Sequence, residues 1–572
     1  MIRGPGVLSR KREELVPAPT NRRCEAGVQT TIPRPFLAII NESPLNPSLN
    51  LTGEPQVRLV SKTADSHRWL ARGIAAVSKN PSRATLILIC VSTLLRVAFG
   101  AMLGLGIDES YMVATARVPQ LSYFDHPPLA WWLVKFATQI FGNDQPLAVR
   151  LPFILLFSLS TWLLYRLTAM LFGAAAGFYA ALLLNLSPVF ALAVGSWVLP
   201  DGPLDCALLG TAICFVHVVR EDRYAHYWWL GLGLCAGLAM LSKYLAVLVL
   251  MGIPFVLLSD RRLRVWFQRP QPYFAVAIAV VLSTPMLQWN ATHGWTSLLF
   301  QGSRAGGMRF QPWGPIVTIA GEVLFLLPWI GLPLLAHFGN GVWRGPRDTR
   351  SWLLCSLAAG PILSFALISV WSHARMLYHW AAPGYLFLLP LLGRDVAARL
   401  DAGERWIRRA VVATAILVCG AAAIMATEVK WNWLPDIGEH FRSGRDPALQ
   451  AVNWSSVAAA IKQRHDLDRP GVIVAGTNWR DTGKLDYALD GQVPVTCLCD
   501  DAREFGILRP LTNYAGADVV IVTAMASHEE VTRRYYEFFE QLTPAGPVVI
   551  EHAGVPSATL YLYIGHRLRL PK

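Results

Sequence analysis

Residues 84–106 read ATLILICVSTLLRVAFGAMLGLG, and residues 107–128 continue as IDESYMVATARVPQLSYFDHPP. The first run has the length, about 20 predominantly apolar residues, that an α-helix needs to cross a bilayer. Directly behind it stand Asp108, Glu109, Tyr123, Asp125, His126, Pro127 and Pro128, ahead of the next apolar run near Arg150. Ionisable groups at a membrane boundary are costly unless they are solvated or paired, so they mark candidate functional sites. The chemistry is expected in this loop.

The rest of the chain agrees with a membrane setting. Hydrophobic residues fill 53% of the 572 positions, 21 of the residues are Trp, and charged residues reach only 16%. That balance, with repeated apolar runs, excludes an ordinary soluble protein and predicts a polytopic membrane protein. The net charge of +13 does not predict a nucleic-acid partner. Its Lys and Arg residues sit in short clusters between apolar runs, as they do in cytoplasmic loops.

Hydropathy predicts about eleven spans: 84–106, 147–171, 174–195, 203–219, 227–242, 244–258, 272–289, 313–337, 352–370, 378–393 and 410–427. A cytoplasmic N-terminus puts Arg220 and Arg223, then Arg261, Arg262, Arg264 and Arg269, then Arg344, Arg347 and Arg350, and the run Arg394 to Arg409, all inside. The positive-inside rule is then satisfied at each loop. The expected location is the plasma (inner) membrane, multi-pass, with the part beyond the last span outside.

Residues 1–83 are polar, basic and rich in Pro and Asn, and have no signal-peptide pattern. They are expected to form a cytoplasmic, largely disordered tail, with a helix near Ser66 to Lys79; a start codon assigned too far upstream would account for them equally. Residues 84–427 form the expected membrane domain. Residues 428–572 read as a small external α/β domain, with strand-like runs at Val472 to Ala475, Val519 to Thr523, Val548 to Ile550 and Thr559 to Ile564. Helical periodicity covers Trp454 to Arg464 and His528 to Gln541. This domain has no phosphate loop or nucleophile elbow, so a supporting or acceptor-binding role is expected. Cys497 and Cys499, two apart on a strand, point the same way and are expected to stay unbridged.

The predicted topology gathers Asp108, Glu109, Asp125, His126, Arg150, Asp201, Asp205, Lys243, Arg304, Arg309, His373, Arg375, Tyr378 and His379 at one membrane surface. A channel or an inverted-repeat transporter would carry its polar groups through the spans or at the midplane. Here they crowd one mouth, which suits an enzyme acting on a lipid head group.

The order Asp108-Glu-Ser-Tyr111, Ser122-Tyr-Phe-Asp-His-Pro-Pro-Leu129, Val149-Arg-Leu-Pro152 and Gly237-Leu-Ala-Met-Leu-Ser-Lys-Tyr244, with Trp479-Arg-Asp-Thr-Gly-Lys-Leu-Asp-Tyr487 near the end, resembles the bacterial branch of the dolichyl-phosphate-mannose protein mannosyltransferase-like glycosyltransferases. That branch includes the aminoarabinose lipid A transferases. The resemblance spans roughly residues 84 to 560. It implies a GT-C type fold, mostly α, with a small C-terminal α/β periplasmic domain. It further implies a polyprenyl-phosphate-linked sugar as donor and inverting transfer of a monosaccharide, on the external side, to a glycan, lipid or protein acceptor.

Such a transfer needs a base for the acceptor hydroxyl and cations for the departing phosphate. Asp108 matches the family's catalytic aspartate, and Glu109 stands beside it as a second catalytic candidate. Lys243, Arg150, Arg304, Arg375 and His379 are the candidates for the donor phosphate. Tyr123, Asp125, His126 and Tyr244 complete the candidate site. Helix capping for Asp108, snorkelling for Lys243, an ion pair for Arg150 and a turn hydrogen bond for Asp125 are the bland alternatives. Asp201, between Pro200 and Pro203, reads as an N-cap of the fourth span. No cofactor is required by these residues. A divalent metal is left open, because some relatives carry an acidic ligand at the position of Asp125, yet Phe300-Gln-Gly-Ser-Arg304 supplies no histidine where they have one. The rival functions are a flippase for a lipid-linked sugar, which would not need Asp108, and a non-catalytic scaffold.

Overall fold

Proline and glycine decide where the apolar runs stay continuous. A computed structural model of the chain describes residues 79–220, 223–304, 306, 309–372, 377–434, 450–463 and 471–570. The expected N-terminal tail up to residue 78, His373 and Arg375 lie outside these residues. The described residues all belong to one unit of contacts.

The membrane part opens with α1 (Pro81–Met102), α2 (Ile107–Ala116), α3 (Leu129–Phe141), α4 (Pro146–Phe172) and α5 (Ala174–Leu186). It continues through α6 (Asp201–Val219), α7 (Ala225–Ser242), α8 (Ala246–Leu250), α9 (Gly252–Ser259), α10 (Gln271–Thr292) and α11 (Thr296–Ser303). It closes with α12 (Gly314–Leu326), α13 (Pro328–Arg344), α14 (Thr349–Ile368), α15 (Ala382–Leu386), α16 (Leu389–Asp401) and α17 (Arg405–Trp431). Among the described residues six helices, α1, α4, α6, α10, α14 and α17, are each long and apolar enough to cross a membrane. The expected span 227–242 is the intact 18-residue helix α7.

The other four expected spans are interrupted. Segment 174–195 stops at Leu186, before Ser187 and Pro188, and resumes as a π-helical turn over Val189–Val194. Segment 244–258 divides at Met251 between α8 and α9. Segment 313–337 breaks where Leu327 takes a φ of 75° ahead of Pro328. Segment 378–393 is a 3-10 turn, Tyr378–Ala381, followed by α15 and α16, which carry Pro383 and Pro390 in their first turns. Proline lacks the N–H that a continuing helix needs and restricts the residue before it. Such breaks survive at membrane depth only where protein surrounds the freed backbone. Leu386 to Leu389 accordingly sit in the main apolar core with Phe157, Leu208, Phe215 and Leu357. Within its apolar window α6 is 72% buried, against 17% for α1 and α17. The former is therefore enclosed by the bundle, and the latter two lie at its edge.

The C-terminal part holds α18 (Ser455–Gln463), β1 (Ile473–Gly476), α19 (Trp479–Ala488), β2 (Val495–Cys497), α20 (Glu504–Leu508), β3 (Val519–Thr523), α21 (His528–Tyr535), β4 (Gln541–His552) and β5 (Val555–His566). The sheet order is β2-β1-β3-β5-β4. Strand β1 runs parallel to β2 and β3, and β5 runs antiparallel to β3 and β4. Alternation sorts the strand residues by face: Val520 and Val522 meet Val457 and Ile461 of α18, while Val519 and Ile521 meet Val531 and Tyr535 of α21. Helix α21 ends at Tyr535, and Gln541 already belongs to β4, so the helix expected over 528–541 is too long. Cys497 and Cys499 are joined in a disulfide, against expectation. Strand β2 ends at Cys497, and the departing chain brings the two Cα atoms to 5.5 Å, within the usual range for a bridge.

This part docks on α2. A Cβ on Gly483 would lie 2.9 Å from the Cα of Tyr111, so a side chain there would force α19 away from α2. Arg117 donates to Asp144 Oδ2 and to the carbonyl of Asp486, both at 2.8 Å. Lys484 donates to the carbonyls of Leu105 and Val452.

Candidate active site

Helix α2 starts just after the first span, and its first turn divides two acids by direction. Glu109 points back into the protein. Its Oε2 accepts the Gly106 N–H at 2.8 Å and Arg150 Nη2 at 2.5 Å, while Oε1 accepts Arg150 Nε at 2.8 Å and the Val198 N–H at 3.0 Å. The Arg150 guanidinium also donates to the carbonyls of Gly100, Leu103 and Gly104 at 2.9, 2.8 and 2.7 Å. Both side chains are buried, and every polar atom of the pair is engaged. This corrects two expectations: Glu109 has no free lone pair for a substrate proton, and Arg150 has no donor left for a phosphate. Burial alone would push the Glu109 carboxyl up, but Arg150 and the two backbone donors hold it below the usual glutamate range.

Asp108, one residue earlier, faces a cavity of about 350 Å³ that is bounded by the membrane part and by Trp479, Arg480 and Arg503 of the C-terminal part. It makes no hydrogen bond or ion pair with any described residue. Its surface is open to the cavity although protein encloses it. That enclosure raises the carboxyl above the usual aspartate range, against the pull of Arg503, Arg480 and Arg304.

Around the same cavity lie Asp125, His126, Asp201, Lys243, Arg304 and His379. Asp125 Oδ1 accepts Arg503 Nη1 at 2.8 Å, and its Oδ2 accepts the Tyr111 hydroxyl. Lys243 Nζ is shared between the two oxygens of Asp201, at 2.9 and 3.0 Å. Asp201 is thus the partner of Lys243; the N-cap expected of it falls to Pro200. Arg304 has no carboxylate partner among the described residues and lies against Phe300 and Trp380, 4.4 and 5.4 Å from the ring centres. Burial, then the nearby Lys243, push the His126 imidazole well below its ordinary value, so it is neutral at pH 7.

His126, Lys243 and Arg304 also line a smaller adjoining cavity of about 110 Å³, whose other walls include Tyr244, Leu245, Phe365, Ile368 and Trp380. The Tyr244 hydroxyl is within 2.9 Å of Ser297 Oγ and accepts Asn290 Nδ2 at 3.0 Å. Tyr123 is outside both cavities. It stacks on Trp131 at 4.6 Å, and its hydroxyl accepts the Gln120 N–H at 3.2 Å within the loop.

The elements around Asp108 therefore come from both ends of the chain. Residues 125–289 match the dolichyl-phosphate-mannose-protein mannosyltransferase family. The resemblance drawn from the loop motifs stands, with Asp125, His126, Arg150, Asp201 and Lys243 inside the matched stretch. The chain is 25% identical over 261 residues to the undecaprenyl phosphate-alpha-4-amino-4-deoxy-L-arabinose arabinosyl transferase of Photorhabdus laumondii, covering 43% of this chain and 46% of that protein. It is 23% identical over 296 residues to the lipid A galacturonosyltransferase RgtD of Rhizobium johnstonii, covering 49% and 58%. The chain thus spans about half the length of the curated relatives it matches. The crystal structure of ArnT from Cupriavidus metallidurans in the apo state superposes with a TM-score of 0.58 at 14% identity, over 84% of this chain and 98% of that one. The same protein bound to undecaprenyl phosphate gives 0.55. The fold is the GT-C type expected from the motifs, that of a membrane protein with a small C-terminal sheet.

Sequence reasoning missed Arg503, Arg480 and Tyr111 as neighbours of the site. Trp479 and Arg480 lie in the motif quoted for the resemblance, so a signal for them was present. Arg503 had none. For a metal, Asp125 is the natural ligand, but its carboxylate oxygens are already taken by Arg503 and Tyr111. No three His, Cys, Asp or Glu side chains among the described residues come together to hold an ion. The donor set among the described residues does not fit a metal.

Proposed function

We propose that this protein is an integral-membrane glycosyltransferase that moves a monosaccharide from a polyprenyl-phosphate sugar to an acceptor hydroxyl, with inversion. One observation carries the reading: a carboxylate, Asp108, and a guanidinium, Arg304, neither with an ion-pair partner among the described residues, share one cavity, and His126, Lys243 and Arg304 on its cationic side also line a smaller one with largely apolar walls. A lipid phosphate needs that combination of charge beside apolar surface.

In the proposed reaction the acceptor oxygen attacks the anomeric carbon while Asp108 takes its proton. The bond from that carbon to the phosphate oxygen breaks, and the polyprenyl phosphate leaves with the electron pair. Arg304 and Lys243 meet the charge that develops on it, with His126, His379 and Tyr244 shaping the same wall. The Lys243 charge is largely balanced by Asp201, so Arg304 is the principal phosphate ligand. Arg375 belongs to the proposal on its place in the sequence. The acceptor is an envelope glycan, lipid A or a protein, and the family matches support this class of substrates.

We further place the N-terminus in the cytoplasm and the C-terminal part, residues 428–572, on the external face, with 84–427 as the membrane domain and 1–83 as a tail. The arginine clusters between spans support this orientation. The test is single-turnover transfer by purified protein supplied with a set of polyprenyl-phosphate sugars and a membrane-lipid extract. Transfer by the wild type that collapses in Asp108→Asn while carrier binding persists is the expected result. Binding without transfer by either protein would favour a flippase.

A further inference from the structure

Arg503 enters the site from the C-terminal part through a turn that is held on every side. Its backbone has a φ of 49° and a ψ of −132°, a positive-φ conformation that is uncommon outside glycine and costs on the order of 1–3 kcal/mol unless its surroundings impose it. The Cys497–Cys499 disulfide precedes the turn. Directly after it, the Glu504 N–H donates to the Tyr111 hydroxyl at 3.1 Å, and Glu504 Oε2 accepts the Phe124 N–H at 2.7 Å. The Arg503 guanidinium sits over Trp479, 3.6 Å from the ring centre, and pairs with Asp125 at 2.8 Å. Strain, an aromatic contact and an ion pair thus converge on one side chain at the cavity wall, as expected of a group whose placement matters to the chemistry.

We propose that Arg503 is a positioning residue for the transfer reaction: it fixes Asp125 and the Tyr123 to Pro128 loop, and it sets fixed positive charge opposite Asp108, so that the base works only with the C-terminal part seated. The inference rests on the glycosyltransferase reading given above. Arg503 stands first among the cations acting on the Asp108 carboxyl, ahead of Arg480 and Arg304, with Glu109 acting in the opposite sense. Asp125 and His126 from the following loop, and Asp201, Lys243 and His379 across the cavity, are the other titratable or charged groups among its described lining residues, and Asp501 lies 3.5 Å from Arg503 Nε. Of these, Asp125 and Asp201 are each matched by a cation. Removing Arg503 therefore leaves Asp108 facing a newly unpaired Asp125, and both changes favour its protonated form.

The experiment is the pH profile of transfer by the full chain, wild type against Arg503→Gln and Arg503→Lys, in the same donor and acceptor mixture, with undecaprenyl phosphate binding measured on each. Wild-type transfer is the prior condition; its absence would sink the glycosyltransferase reading rather than this inference. In Arg503→Gln the acid limb of kcat/KM moves up by about one pH unit and kcat falls by roughly 10-fold or more, with carrier affinity within about threefold. In Arg503→Lys the limb returns to its wild-type position, while kcat stays reduced because an ammonium lacks the planar, forked guanidinium that reaches both Trp479 and Asp125. An unmoved limb with kcat within about twofold of wild type overturns the proposal. A raised donor KM with kcat unchanged overturns it too, because Arg503 would then be a donor ligand. If Arg503→Gln does not fold, Arg503→Lys decides: reduced kcat on an unmoved limb supports the proposal, and wild-type kcat or a displaced limb overturns it.

Discussion

Glu109→Gln separates structural support from catalysis in the first turn of α2. The substitution keeps the shape of the side chain but removes the charge that balances Arg150, which is 2% exposed. Two charge-assisted hydrogen bonds, at 2.8 and 2.5 Å, become at best neutral ones, and one amide N–H₂ is turned toward a guanidinium. Hydrogen bonds to charged groups contribute about 1.5–3 kcal/mol each, and stranding one partner of a buried ion pair costs about 3–5 kcal/mol. A loss of about 3–5 kcal/mol is therefore expected, a large part of the roughly 5–15 kcal/mol that folded proteins hold in all.

The assay is unfolding in mixed micelles titrated with dodecyl sulfate, run beside single-turnover transfer on protein that remains folded. The sign with pH is also fixed. Glu109 is held below its unfolded value, so its contribution is present above the unfolded pKa and is lost as pH falls through the folded one. The glutamine variant should lose that acid-side decline. Transfer abolished with stability within about 0.5 kcal/mol of wild type would refute the reasoning and return Glu109 to the catalytic set.

Asp108→Asn should lower single-turnover transfer by roughly 10²–10⁴-fold and leave carrier binding intact; near-wild-type transfer would remove Asp108 as the base. Because enclosure raises the Asp108 carboxyl above the usual aspartate range, wild-type kcat/KM should fall off on the acid side at a higher pH than an exposed aspartate would give, read from the pH profile. Arg304→Gln should weaken binding of undecaprenyl phosphate by about tenfold or more, while Asp201→Asn, which frees Lys243, should not weaken it; equal losses in both would place the phosphate elsewhere. Burial pushes the Glu504 carboxyl up to about 8, so the native state holds its proton from the unfolded value up to there, and stability should decline as pH rises across that window. Glu504→Gln should flatten that decline in a melting-temperature series from pH 5 to 9, and an unchanged slope would count against a protonated Glu504.

The membrane class, the helical segments and the loop that carries Asp108 were legible because each rests on short-range pattern. Apolar runs of bilayer length, prolines at fixed places and strands alternating with period two are properties of neighbouring residues. The breaks at Leu327 and Met251 were less legible. A run such as 313–337 is apolar on both sides of Pro328, and only packing decides whether that proline bends a helix or ends it. The reach of the expected helix past Tyr535 failed for a similar reason, since pairing with β5 drew Gln541 into a strand.

Roles within the site depended most on tertiary structure. Asp108 and Glu109 are adjacent and chemically alike, and no local pattern says which one faces substrate. The fold separates them, because Arg150 on α4 and the Val198 N–H arrive on one side of α2 while the cavity lies on the other. Lys243 and Asp201 are 42 residues apart, and Asp125 and Arg503 are 378 apart. Pairing at such separations is settled by long-range packing. The sequence by itself determined a polytopic membrane protein with an acidic loop at one mouth. Only the tertiary structure decided which of its charges are spent on one another, and which, like Asp108 and Arg304, are left facing the cavity.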